Sequence, residues 1–158
     1  MKILKNKKII LVLLLTIATG VIVEATASKN KKNSAPRQLT HTVNESSENS
    51  EVDLEVEFKN YQKEDPEFLE FEVFLNTHSE DLSQYDNFVD FLKLIVDEVP
   101  VNTEIFLEKR GSGHHISNIL KIKNDYQGKK ILDENTKEIK LIFHNISGVE
   151  ERIHSYSF

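Results

Sequence analysis

The sequence predicts an all-β protein, an antiparallel β-sandwich of about seven short strands. Three observations carry this. Period-two alternation of apolar and charged residues begins at Val52 and recurs, turn-forming residues interrupt it at short intervals, and no internal repeat is visible. The alternating region, 52–158, is of ordinary single-domain size. Two segments precede it: a signal peptide over 1–27 and a disordered spacer over 28–51.

The signal peptide follows from three regions in order. Met1 to Lys8 is basic, Ile9 to Val23 is almost wholly apolar, and Ala25-Thr26-Ala27 supplies small residues for cleavage after Ala27. The apolar run of 15 residues is short against the roughly 20 that span a bilayer. Export to the cell surface or medium is therefore expected. Membrane attachment is expected only if the segment is kept as an anchor. Ser28 to Ser50 is rich in Ser, Asn, Lys and Glu, contains Pro36, and has too little apolar surface to offset its ordering entropy. His41 lies in that spacer and reads as a solvated residue.

Each strand has its own signal. Leu54, Val56 and Phe58 alternate with Asp53, Glu55 and Glu57, giving a half-buried strand. After a turn near Pro66, Leu69, Phe71, Val73 and Leu75 share a face opposite Glu70 and Glu72. Asp81 to Asp90 reads as a loop or one helical turn. Phe91 to Val96 is an apolar run interrupted only by Lys93, with Pro100 as its terminator, read as a central strand. Phe88, Phe91, Leu92 and Ile95 also fit a helical stripe, so a helix over 87–98 competes. Strands follow over Glu104–Lys109 and Ile116–Ile122, separated by Gly111-Ser112-Gly113. Tyr126 to Asn135 is a polar connection. Ile139, Leu141 and Phe143 alternate with lysine and histidine, Ser147-Gly148 turns the chain, and Arg152 to Phe158 closes it. Phe71, Val73, Leu75, Leu141 and Phe143 are expected in one core.

Charge and composition exclude several functions. Four of the 20 basic residues and one of the 26 acidic residues lie within 1–27, so 16 and 25 remain, a net charge near −9. Such a surface is repelled by phosphate backbones, and no nucleic-acid partner is expected. The chain has no cysteine, which removes disulfides, thiolate metal sites and thiol catalysis. No Gly-rich phosphate loop, GxSxG elbow or HExxH pair occurs.

Two groups carry candidate chemistry. Asn76-Thr77-His78-Ser79 ends one strand, and Gly111-Ser112-Gly113-His114-His115 leads into another; binding residues commonly occupy such junctions. Convergence of His78, His114 and His115 would give a nitrogen ligand set suited to copper or zinc, with Glu80, Asp81 or Asp86 as oxygen donors. Parity divides the three: His114 shares a face with Ile116, while His115 and His78 point outward. The competing reading makes them loop-ordering or solvated residues. A Ser–His–Asp set from Ser79 or Ser117, His114 and Asp86 can be written, but no oxyanion-hole motif accompanies it. No catalysis is expected.

Phe71 to Leu82 (Phe-Glu-Val-Phe-Leu-Asn-Thr-His-Ser-Glu-Asp-Leu) resembles a segment of small uncharacterised exported bacterial and archaeal proteins. Theirs reads apolar-x-Leu-Asp/Asn-Thr-His-Ser-x-Asp/Glu-Leu. The same proteins carry a Gly-Gly-His-His turn, matched by Ser112-Gly113-His114-His115, and end in Pro-Glu-Arg with alternating aromatics, matched by Glu150-Glu151-Arg152, Tyr156 and Phe158. Here Ser112 replaces a glycine, Glu150 the proline, and His154 an aromatic. The resemblance implies an immunoglobulin-like sandwich and brings no activity with it. The function expected is binding at one end of the sandwich, with a transition metal as ligand. The alternative is a structural or protein-interaction module of the cell surface, with a cell-surface protein as partner.

Overall fold

Alternation along Val52–Phe58 and Phe68–Thr77 translates directly into strands with one buried face. In the computed structural model, which describes residues 37–46 and 50–158, burial follows the same period of two. Nine strands result: β1 (Thr40–Glu45), β2 (Val52–Phe58), β3 (Phe68–Thr77), β4 (Leu92–Val96), β5 (Val99–Val101), β6 (Ile105–Ser112), β7 (His115–Lys123), β8 (Glu138–Ile146) and β9 (Val149–Ser157). They form two antiparallel sheets, one ordered β1-β9-β8-β4-β5 and the other β2-β3-β7-β6.

The sheets close face to face as a β-sandwich. Phe71, Val73, Leu75, Leu141 and Phe143, the residues expected in the core, are all fully buried there with Leu69, Leu120, Ile122 and Ile139. One polar tie crosses between the sheets: the buried Tyr156 hydroxyl donates to the Val56 carbonyl at 2.9 Å. Phe58, Phe71 and Tyr156 pack around it.

The tight hairpins have the backbone that two-residue turns require. Asp97-Glu98 joins β4 to β5 with φ of 45° and 69°, and Ser147-Gly148 joins β8 to β9 with φ of 53° and 71°. Positive φ at both central positions matches the right-handed twist of the flanking strands.

Two expectations need correction. About seven strands were expected and nine are present among the described residues. β5 holds Pro100, read from the sequence as a terminator; it lies on an edge, where a missing N–H costs no ladder bond. β1 falls inside the segment expected as a spacer. All six of its side chains are exposed, so no apolar period marks it. It is held instead by backbone pairing along the whole of Glu45↔Arg152 to Thr40↔Ser157. The domain begins earlier still: Arg37 donates to the Asp133 carbonyl at 2.6 Å and lies 5.1 Å from the Phe158 ring. The signal peptide (1–27) and the rest of the spacer (28–36 and 47–49) lie outside the described residues. The competing helix over 87–98 gives way to a 3-10 turn, Phe88–Phe91, followed by strand β4. Leu94 pairs with Leu141 in the sheet interior, and that pairing outweighs the helical stripe.

Candidate functional site

Antiparallel order brings both histidine motifs to one end of the sandwich. β3 finishes there and β7 starts there, with Asn76 opposite His115. The Thr77 N–H donates to the His114 carbonyl at 3.0 Å. The β6–β7 hairpin turns on Gly113-His114, with φ of +79° at Gly113 alone, the first central position where a type II′ turn takes glycine. Gly111 is constrained differently: its φ is +78°, and a Cβ there would meet the His115 carbonyl at 2.9 Å.

Hydrogen bonds knit this end together from four parts of the chain. Buried Thr77 donates its hydroxyl to the Glu51 carbonyl and accepts from the N–H groups of Ser79 and Glu80. The Ser79 hydroxyl donates to the Glu51 carboxylate. The Ser147 hydroxyl donates to Glu80, and the Ser147 N–H donates to the Tyr85 oxygen at 2.7 Å. The Glu51 N–H in turn donates to Ser147 Oγ. Residues 50–51, 77–85, 112–115 and 146–147 therefore act as one scaffold.

His78, His114 and His115 are all exposed on that scaffold. His115 Nδ1 lies 2.9 Å from Asn76 Oδ1, a contact that fixes the ring on the outer face. His114 sits beside Ser79, Glu80, Asp81 and Gly113 in a shallow open depression of about 320 Å³. Hydrogen bonds from Ser83, and then the charge of His114, hold the Asp81 carboxyl below its usual range. The fold thus brings the two motifs to one end. Among the described residues no group of three or more His, Asp or Glu side chains is placed to hold a metal ion, and the set His78, His114, His115 is not assembled. Nor is the Ser–His–Asp set: Ser79 donates to Glu51, Ser117 to Glu72, and Asp86 meets Lys109 at 3.1 Å.

A second polar group lies within the sandwich. Arg152, His154 and Tyr156 follow each other along the inner face of β9 and are all but fully buried. Burial pushes the His154 imidazole down to about 3, with smaller contributions from His41 and Arg152, so the ring is neutral. Its Nδ1 is 3.3 Å from His41 Nε2, and the His41 ring stacks on Tyr156 at 4.5 Å. His41, read from sequence as solvated, is half of this contact. Arg152 Nη2 donates to Ser50 Oγ, and Nε lies 3.9 Å from Glu45; burial lowers the guanidinium's pKa. Among the described residues, Arg152 Nε and Nη1 and His154 Nε2 have no hydrogen-bond partner. The signal for this group is parity: Arg152 and His154 share a face with Tyr156, opposite Leu141 and Phe143.

No protein-family model matches the sequence, and no curated protein or solved structure is similar enough to count as a match.

Proposed function

We propose that the chain is an exported, non-catalytic binding module. Its binding surface is the end of the sandwich that carries His78, His114 and His115. One observation supports this above the others: loops distant in sequence are laced by hydrogen bonds beneath three exposed imidazoles. A rigid scaffold holding exposed polar rings suits recognition, because little side-chain ordering remains to be done on binding. The engagement of Ser79 and Ser117 with carboxylates supports binding rather than acyl transfer. In this reading the domain is immunoglobulin-like, as in the proteins it resembles, and its antiparallel two-sheet build agrees with that.

The ligand that asks for least rearrangement is a cell-surface protein. A photoreactive residue at position 114, compared with one at Gln62, tests this on intact cells. Cross-links to one partner from position 114 alone are expected; equal yields from both positions overturn the reading. Transition-metal capture is the second reading, favoured by the backbone bond that joins the Thr77 and His114 strand ends. It requires the rings to turn and His115 to leave Asn76. Calorimetric titration with Cu²⁺ and Zn²⁺, beside a His78→Ala, His114→Ala variant, decides it. Equal heats in the two proteins would end it.

A further inference from the structure

The two sheets are unequal, and the inequality falls at one side. β5 and β6 are joined by three residues, 102–104, and so form the same side of the sandwich. β9 lies over β2, as the Tyr156–Val56 bond and the Phe58–Tyr156 contact require. β1, outside β9, therefore has no strand across from it among the described residues. Its inner-face residues His41, Val43 and Glu45 stay exposed, Val43 by 50%.

Beneath that overhang runs the free edge of β2. The Lys59 N–H donates to the Glu70 carbonyl, which fixes the odd-numbered residues of β2 as those bonded to β3. The N–H and C=O of Leu54 and Phe58 then point to the opposite edge, where no described strand pairs. Among the neighbouring edge groups, Ser50 Oγ bridges the N–H and C=O of Val52, and Tyr156 occupies the Val56 carbonyl. On the outer face this strand carries Asp53, Glu55 and Glu57, all exposed, and among the described residues only Glu57 meets a cation, Lys59 at 3.0 Å.

We infer that the free edge of β2 takes a fifth strand from a partner protein, an extended segment in which basic residues alternate with apolar ones. Backbone bonds to Leu54 and Phe58 set its register. Its apolar side chains cover Val43 and His41 on the inner side, and its basic side chains lie beside Asp53 and Glu55 on the outer. Strand addition of this kind draws affinity from the main chain and specificity from alternate side chains. A second copy of this chain fits badly, because pairing two β2 edges sets acidic rows side by side. The site is separate from the histidine end.

The probe is a short acetylated peptide alternating lysine and valine, titrated into the protein by calorimetry and amide hydrogen exchange. Expected are saturable binding and new protection at Leu54 and Phe58. Three changes should each weaken binding about tenfold or more: Asp53→Lys with Glu55→Lys, glutamate for lysine in the peptide, and N-methylation of alternate peptide bonds. The N-methylated peptide keeps the charge and loses the ladder, so equal binding would reduce the contact to electrostatics and overturn the inference. Absence of binding, or binding without protection at Leu54 and Phe58, also overturns it. Protection that grows with protein concentration alone would show self-pairing and refute the basic partner. The His78→Ala, His114→Ala variant should bind the peptide unchanged, which keeps this result independent of the histidine end.

Discussion

Acid should destabilise this fold earlier than its carboxylates require, and His154 is the reason. The ring is fully buried and neutral, with its pKa lowered from 6.5 to about 3. In the unfolded chain it takes up a proton below about pH 6.5, while in the folded chain it does not. Stability from this group is therefore complete above about pH 6.5 and declines as pH falls towards about 3. Each tenfold drop in proton affinity corresponds to about 1.4 kcal/mol, so the full loss approaches ~5 kcal/mol and the loss between about pH 7 and pH 5 is ~2 kcal/mol. Glu72, Asp81, Glu108 and Asp133, whose carboxyls are lowered by hydrogen bonds and cations, lose their contribution only at lower pH. The interval above about pH 5 thus isolates histidine. The assay is urea unfolding followed by circular dichroism at several pH values, for the natural protein and for His154→Leu. Leucine fits the apolar contact with Phe143, and the exposed His41 can turn to water. The natural protein should lose ~2 kcal/mol over the interval, and the variant much less. A flat profile in the natural protein, or the same slope in both, would refute the assignment of a neutral buried ring.

Other outcomes are accessible to simpler measurements. Phe71→Ala empties a fully buried site between the sheets and should cost about 3–5 kcal/mol in denaturant unfolding; a loss below about 1 kcal/mol would show that Phe71 is not core. Gly111→Ala forces a side chain into positive φ and against the His115 carbonyl. A loss of about 1–3 kcal/mol is expected, with amide shifts centred on His114 and His115. Mass spectrometry of the exported product should give an amino terminus at Ser28; an intact terminus on a membrane-bound product would mean that the apolar segment is retained as an anchor.

Residues that bury an apolar face were legible in the sequence, and those held by other means were not. Leu54 to Phe58, Leu69 to Leu75 and Ile139 to Phe143 advertise their strands because water excludes every second side chain. β1 offers no such signal: Thr-His-Thr-Val-Asn-Glu is polar on both faces, and what orders it is the exposed edge of β9, which a linear pattern does not contain. β9 was legible as the closing strand, Arg152 to Phe158, but its buried polar face was not: that face carries Arg152 and His154, residues that ordinary burial preferences place outside. The histidine motifs were found correctly as strand-end features. Their meeting at one end came from topology, which is visible only once Asn76 is known to face His115.

The pairing of β1 with β9 has a mechanical side. The chain enters β1 at Thr40, beside Ser157, whereas the histidine loops lie past the other end of the same ladder, where Glu45 meets Arg152 and the Ser46 N–H donates to the Glu151 carbonyl. A tether on the amino-terminal side and a ligand held at His114 would therefore pull along the strand axis. Such a load is shared by all the rungs at once and does not open them singly. The least buried strand of the sandwich would then transmit tension between anchor and ligand, and its row of main-chain bonds would yield together at a sharp threshold.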